Sequence, residues 1–465
     1  LENDIDSSET RIDDRRIPWF SNEQLLERLN SLPFGCVRPQ LTGAVRGYIN
    51  TYAIRKREKC EGMLGRRILY FPIYEKYLKA AGMPSELKYL SVTESALNPT
   101  IVSSAGAVGL WQFMPATGKE YGLDITNAVD ERCDPNKSTQ ASVKYLQKLF
   151  IQFGSWELAL AAYNSGAGRV SGAIKRAHSY NFWKLQKYLP EETRNYVPAF
   201  IAAMYICHFY EAHNLTPEPL EMEAQITSSI LIHETLTFSE ISEATGVNYQ
   251  MLKLLNPQYR QNYIPQSKEG HYLILPTRVF PTFLKFMNGR GGQQYLTDSP
   301  VIFGNSGGNL VYNNKYLLTT YRPVTGETLE SIAQKYGTDL ECLKIWNNSP
   351  WGGLVIGQDM KIYQPYSVLE RQNVRIEGSK ATVEANKPGK KPADKPAGKT
   401  GLPAPAKAAE PAQSPAVAPK MPAFHTVQRG ESLDDIAIQY GMTTKQLMLL
   451  NPKIDLKIGA RLKLK

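Results

Sequence analysis

The sequence predicts a multidomain chain, with a mainly α-helical domain first and small α+β units of βααβ order after it. Three observations predict this. Apolar residues between 36 and 215 recur at the spacing of helix faces. A stretch at the C-terminal end repeats twice upstream with falling similarity. Residues 387 to 423 carry a proline every few positions and almost no large apolar side chains. The length agrees, because 465 residues exceed one ordinary core and predict two to four domains.

The formal charge is +10, enough to raise nucleic acid, a membrane surface or another polyanion as partner. Its distribution narrows the choice. Residues 1 to 35 are net −4, 36 to 215 net +8, 216 to 386 net −2, 387 to 423 net +5 and 424 to 465 net +3. No compact Lys/Arg cluster with interleaved aromatics marks a nucleic-acid face, so nucleic acid is excluded as a partner. No stretch reaches the roughly 18 to 20 apolar residues of a membrane span, and the most apolar run, Phe200 to Phe209, reads as a core helix. The chain begins Leu1-Glu2-Asn3-Asp4 without a basic-then-apolar leader, the reading being a mature secreted protein or a trimmed chain. Five cysteines show no CxxC pair and no Cys/His ligand spacing, so no metal or cofactor is expected; Cys36 with Cys60 is the one disulfide considered.

In chain order, Pro84-Ser85 opens a helix in which Leu87, Leu90 and Glu94 recur at i, i+3 and i+7. Ser138 is positioned to cap another, with Val143, Tyr145, Leu146, Leu149 and Phe150 before a stop at Gly154. Trp156 to Tyr163 is a short, almost wholly apolar helix broken by Asn164-Ser165-Gly166. Arg194 to Tyr210 is longer, and Pro198 should kink it or mark its first turn. Residues 387 to 423 cannot bury enough surface to offset their ordering entropy and read as a basic, polyproline-rich tether.

The repeated unit aligns Leu433 with Leu329, Ile436 with Ile332, Ala437 with Ala333, Tyr440 with Tyr336, Gly441 with Gly337 and Asn451 with Asn347. The Gly-to-Asn interval is ten residues in both, and again in a weaker copy from Gly246 to Asn256. Leu, Ile, Ala and Tyr at i, i+3, i+4 and i+7 make one face of a short helix, and the glycine sits at its left-handed stop. Each unit then reads as β-α-α-β, which closely resembles the LysM domain; a generic two-helix hairpin is the plainer account. The resemblance implies binding to N-acetylglucosamine-containing polysaccharides such as peptidoglycan or chitin.

Glu94 falls on the stripe that Leu87 and Leu90 assign to the core, at a helix end. A carboxylate facing an apolar interior is costly, so its pKa should rise, which suits a general acid. A glutamate turning to solvent at a helix end is the structural alternative. The surrounding order of motifs decides between them. It runs Glu94-Ser95-Ala96-Leu97-Asn98-Pro99, then Ser103 to Pro115 reading SSAGAVGLWQFMP, then Ala161-Ala162-Tyr163-Asn164-Ser165-Gly166, then Glu192-Thr193-Arg194-Asn195-Tyr196-Val197. This set resembles the soluble lytic transglycosylase (SLT) domain of glycoside hydrolase family 23, related in fold to goose-type lysozyme.

The resemblance covers roughly residues 60 to 215 and implies a lysozyme-like catalytic domain in which Glu94 is the single acid/base. Ser103, Gln112 and Met114 match residues that contact the sugar at the cleavage point; Tyr163 and Asn164 match the pair beside the carboxylate, orienting it and the substrate acetamido group; Glu192 and Tyr196 match the last cleft motif. Each also has a structural account: Gly106 and Gly109 as turn glycines, Met114 as core filler, Gln112 and Asn164 as partners of buried backbone groups. Tyr163 needs a partner for its hydroxyl, and Glu94 would serve.

The domain map expected from these readings is a helical extension over 1–60, the SLT domain over 61–215 and a degenerate LysM-like copy over 231–276. A connector over 277–319, a LysM unit over 320–365, a linker over 366–423 and a LysM unit over 424–465 complete it. The activity implied is non-hydrolytic cleavage of the MurNAc-β-1,4-GlcNAc bond with a 1,6-anhydro product. The expected partner is therefore peptidoglycan and the expected place the bacterial envelope, on the periplasmic side, with membrane anchoring of the native form left open. A goose-lysozyme-like hydrolase and a non-catalytic wall-binding scaffold are the competing functions.

Overall fold

The chain is described from a computed structural model over residues 17–32, 35–291, 295, 303–304, 308–347, 354, 356–366, 424–426, 447, 450–451 and 461–463. The linker expected over 366–423, apart from Tyr366, and most of the last LysM unit lie outside the described residues.

The helical part begins with α1 (Asn22–Ser31), where Ser21 and Gln24 form a reciprocal cap, followed by α2 (Gly43–Asn50) capped by Thr42. One π-helical turn over Thr51–Arg55 leads into α3 (Arg57–Ala80), which runs unbroken across residue 60 and through Pro72. A 3₁₀ turn over Ser85–Lys88 precedes α4 (Tyr89–Ser95), with Leu87 and Leu90 fully buried as their spacing predicts. Helix α5 (Pro115–Glu120) starts on a proline.

Helix α6 (Pro135–Phe153) starts three residues before the expected Ser138. Asp134 caps it, its carboxylate accepting the Asn136 and Lys137 amides at 2.7 and 2.9 Å. Pro135 needs no amide partner at the first helical position, and Ser138 instead donates to the Asp134 carbonyl. Gly154, at φ 65°, ends the helix as expected. Helices α7 (Trp156–Ser165), α8 (Ala167–Ala177) and α9 (Phe182–Leu185) follow. Helix α10 (Glu191–Phe209) starts three residues before the expected Arg194, so Pro198 lies well inside it; two glutamates in its first turn favour that start. It is the central element, packed against α2, α4 and α7.

After the short α11 (Met222–Gln225) comes the first small unit: β1 (Thr227–Ile232), β2 (Leu236–Thr237), α12 (Phe238–Thr245), α13 (Tyr249–Leu255), β3 (Tyr263–Ile264) and β4 (His271–Pro276). Strands β1 and β4 pair antiparallel, as do β2 and β3. Residues expected as a connector contain α14 (Phe280–Gly289), which buries Phe280, Phe283 and Met287, and β5 (Asn309–Val311). The second unit is β6 (Tyr316–Tyr321), α15 (Leu329–Tyr336), α16 (Leu340–Trp346) and β7 (Met360–Pro365), with sheet order β5-β6-β7. Gly246 and Gly337 end α12 and α15 at φ 71° and 60°, the left-handed stop read from the repeat.

The aligned asparagines do one job in every copy. Asn256 donates to the Leu252 and Ile274 carbonyls at 3.0 and 2.8 Å and accepts the Ile274 amide at 2.7 Å. Asn347 makes the same three bonds to Leu343 and Lys361, at 2.9, 2.8 and 2.7 Å. In the last unit, where β8 (Phe424–Thr426) pairs with β9 (Arg461–Lys463), Asn451 repeats them with Leu447 and Lys463. The side chain stitches the end of the second helix to the closing strand.

The first two units are built onto the helical part rather than strung beside it. One continuous apolar core runs from Leu25 through Met287 and takes in Cys342 of α16. Lys88, nearly buried, lies 2.5 Å from Glu75 and 3.1 Å from the buried Glu341 of α16, which also pairs with Lys344 at 2.7 Å. The Trp346 indole donates to the Gln225 side chain at 2.9 Å. All five cysteines are free thiols, so the Cys36–Cys60 pairing does not form.

Because Asn256 is buried, Asn256→Ala should strand the Ile274 amide and carbonyl without partners and cost about 2–3 kcal/mol. Denaturant unfolding of the full chain measures this, and a loss below about 0.5 kcal/mol would contradict the stitching role.

Candidate active site

Glu94 is the next-to-last residue of α4, and the chain leaves that helix through two left-handed residues, Ala96 at φ 49° and Leu97 at φ 60°. Such conformations are strained for residues with a Cβ, and complete burial of Leu97 holds this one in place. The helix is tied to the segment after it through one carbonyl. Ser91 of α4 donates to the Leu110 oxygen at 2.8 Å, and Ser95, one turn on, shares its one proton between that oxygen at 3.0 Å and the Ser91 carbonyl at 2.9 Å. With its proton so used, the Ser91 hydroxyl accepts from Tyr74 of α3 at 3.0 Å.

The segment from Ile101 to Phe113 folds on itself, Val108 bridging both Val102 and Phe113. Gly109, at φ 90°, passes so close to the Arg132 backbone that a Cβ would lie 1.9 Å from its carbonyl oxygen, so only glycine fits. Trp111 is fully buried and donates to Thr139 of α6 at 3.0 Å. Gln112, also left-handed at φ 48°, donates to the Gly109 and Ile101 carbonyls at 2.9 and 3.3 Å, the backbone role its structural account assigned. Ser103 closes the 103–107 turn by accepting the Ala107 amide at 3.0 Å. Met114 is 42% exposed, which removes the core-filler account.

Half-buried in this setting, the Glu94 carboxyl has its pKa pushed up by burial to about 7. The Tyr196 hydroxyl of α10 donates to its Oε1 and opposes the rise, while the charge of Glu192 adds to it. This corrects the sequence expectation that Tyr163 would serve Glu94. Tyr163 instead donates to the Trp111 carbonyl at 2.8 Å, fixing the same loop from α7. Glu192 and Tyr196 are i and i+4 on α10, so one helix face brings both toward the carboxyl.

Asn164 joins α7 to α10: its amide donates to Glu192 at 3.0 Å and its oxygen accepts from Thr193 at 2.7 Å. It thus reaches the site through side chains of α10, not through buried backbone groups. The structure brings Glu94, Tyr196 and Glu192 together, with Asn164 held on Glu192; Tyr163, Ser103 and Gln112 shape the neighbouring loop, and Met114 follows it. Sequence reasoning missed Ser91, Ser95 and Thr193. The two serines stand at i and i+4 on α4, a spacing that could have found them. Among the described residues, no group of three or more His, Cys, Asp or Glu is arranged to hold a metal ion.

Residues 71–186 match the transglycosylase SLT domain family. Residues 226–286 match the LysM-like domain of lytic transglycosylase MltD, and 324–362 and 425–465 match the LysM domain. The chain carries these domains in the order the motifs predict. It is 31% identical over 290 residues to membrane-bound lytic murein transglycosylase D of Escherichia coli K12, covering 61% of this chain and 61% of that protein. It is 30% identical over 183 residues to the peptidoglycan transglycosylase gp16 of Escherichia phage T7, 38% of this chain and 14% of that one. Of solved structures, the 70-kDa soluble lytic transglycosylase of Escherichia coli is 27% identical over 31% of this chain and 25% of its own, at a TM-score of 0.27.

The raised pKa has a consequence for stability. Below pH 4.5 Glu94 is protonated folded or unfolded; between 4.5 and about 7 the unfolded chain ionises first, so stability falls as pH rises through that window. Glu94→Gln removes this loss. The variant should gain about 2 kcal/mol relative to the parent between pH 4 and pH 8, read from unfolding at both. An equal difference at the two pH values would contradict the buried, proton-holding carboxyl.

Proposed function

We propose that the chain is a peptidoglycan lytic transglycosylase that cleaves the MurNAc-β-1,4-GlcNAc bond without water and leaves 1,6-anhydro-MurNAc ends. One observation carries this reading: Glu94, half-buried at the end of α4 and bonded by the Tyr196 hydroxyl, has its carboxyl raised to about 7, the state of a proton donor near neutrality. Most glycosidases set two free carboxylates across the bond. Here the carboxylate whose charge acts on Glu94 is Glu192, and Asn164 engages it. One acid suits a reaction whose second reactant is the sugar itself.

In this reaction Glu94 protonates the leaving glycosidic oxygen, and the C1–O bond breaks as positive charge grows at the MurNAc anomeric carbon. The substrate N-acetyl group stabilises that charge. The new Glu94 carboxylate is held by the Tyr196 hydroxyl, which favours the ionised form at the moment it appears. It then takes the proton of the same sugar's 6-hydroxyl, whose oxygen attacks C1 and closes the anhydro ring. Glu94 is protonated again and no atom is left over. The intramolecular nucleophile has a large effective concentration over water once the ring is distorted, so no cofactor enters. Gln112, Ser103 and Met114 would contact the sugar at the cleavage point, from a segment fixed through Leu110 and Trp111.

Substrate, place and anchoring follow the same reading. Peptidoglycan carries peptide carboxylates, which suit the net +8 of residues 36 to 215. The polymer lies outside the cytoplasmic membrane, so the working place is the bacterial envelope, on the periplasmic side. No helix among the described residues is long and apolar enough to cross a membrane. The LysM units raise the local concentration of the cleft on an insoluble polymer through several weak contacts.

Glu94→Gln should lower turnover on purified peptidoglycan by about 100- to 10,000-fold while glycan binding persists. Mass spectrometry of the parent's digest should show ends one water lighter than reducing ends. Reducing ends would make the protein a hydrolase, and binding without soluble products would make it a scaffold. Removing residues 387–465 should weaken retention on sacculi more than turnover on small soluble fragments; equal losses would contradict the tether.

A further inference from the structure

Between Asp124 and Asp134 the helical domain presents a loop that touches the first LysM-like unit on one side and the cleft loop on the other. Toward the unit, Val129 bridges Tyr259, the Asp130 amide donates to the Gln258 carbonyl at 3.0 Å, and the Arg260 amide donates to the Ala128 carbonyl at 2.9 Å. The Arg260 side chain adds a bond to the Thr126 carbonyl at 3.2 Å and an ion pair to Asp130 Oδ2. Toward the cleft, the Asp130 carboxylate is fully buried and grips Arg132 with two parallel bonds of 2.9 Å, to Nε and Nη2. The guanidinium left over, Nη1, donates to the Gly106 and Phe113 carbonyls at 3.2 and 3.3 Å.

Those two carbonyls are the ends of the loop that holds Gln112 and leads into Met114. A planar fork fixed by a carboxylate fixes the direction of its remaining donor, so the placement of Asp130 sets the placement of the loop. Asp130 in turn is held by the LysM-like unit, through the Gln258 carbonyl and Arg260. We propose that Asp130 and Arg260 are positioning residues for the cleft, and that the first LysM-like unit acts as its buttress through the chain Arg260–Asp130–Arg132. This inference rests on the reading of the cleft as the reaction site. The three side chains act through the Gly106 and Phe113 carbonyls and so set where Gln112 and Met114 lie.

The test uses the full-length chain with Arg260→Ala, Arg260→Lys and Asp130→Asn. Amide hydrogen exchange is read at Val108, Gly109, Gln112 and Phe113, with KM and kcat on soluble peptidoglycan fragments. Arg260→Ala should speed exchange in 106–113 selectively and raise KM roughly five-fold, with kcat and the pH at which the rate falls unchanged. Arg260→Lys should recover most of the loss, and Asp130→Asn should exceed it. Arg260 is 46% exposed, so its alanine variant carries the test if Asp130→Asn does not fold. Unchanged exchange, faster exchange spread evenly along the chain, or an unchanged KM would overturn the inference. The exchange arm needs no substrate, so it separates failure of the buttress from failure of the reaction assigned to Glu94.

Discussion

The geometry around Glu94 hangs on one backbone oxygen, the Leu110 carbonyl, which accepts the Ser91 hydroxyl and a share of the Ser95 hydroxyl, both on the helix that carries Glu94. A buried carbonyl must find donors, and here the donors come from the helix that carries Glu94. The bond pair fixes the distance between the acid and the loop that borders it. Trp111 then pins the loop to α6 through its indole, and Tyr163 pins the Trp111 carbonyl to α7. Three helices therefore agree on where one short loop lies. That convergence explains why the loop tolerates a left-handed Gln112 and a glycine pressed against the Arg132 backbone.

Glu94 illustrates a balance rather than a single effect. Burial raises its pKa, Glu192 raises it further, and Tyr196 pulls it down. The result near 7 leaves the group able to give a proton and to take one back. An acid buried without Tyr196 would hold its proton too firmly, and one fully solvated would not hold it at neutral pH. The same α10 turn that supplies Tyr196 supplies Glu192, so packing of α10 against α4 sets both influences on the carboxyl together.

The repeated units serve two purposes with one fold. In each copy an asparagine joins the second helix to the closing strand, which preserves the unit whatever its surface does. The first two copies spend part of that surface on the helical domain: Gln258, Tyr259 and Arg260 in one, Glu341 and Trp346 in the other. A module that reads in sequence as a detachable binding unit is in these cases packed onto the helical domain.

What the sequence by itself determined is what short-range spacing controls. The glycine stops at 246 and 337, the aligned asparagines and the buried Leu87 and Leu90 on the stripe of Glu94 all follow from periods of a few residues, and the structure keeps each one; the βααβ order stands in the second unit, while the first adds a strand on either side of its helix pair. The motif order likewise pointed to Glu94 without any coordinates. The tertiary structure alone decided which hydroxyl meets that carboxyl. Tyr163 and Tyr196 are equal candidates by type, and the choice depends on how α10 packs, across 102 residues of sequence separation. Docking of the small units was equally hidden, because Lys88, Glu341 and Asp130 are ordinary charged residues until folding removes them from water, and Arg260 until it meets the buried Asp130. Local backbone preference is written along the chain; the pairing of distant polar groups is settled only when packing decides which of them lose their solvent.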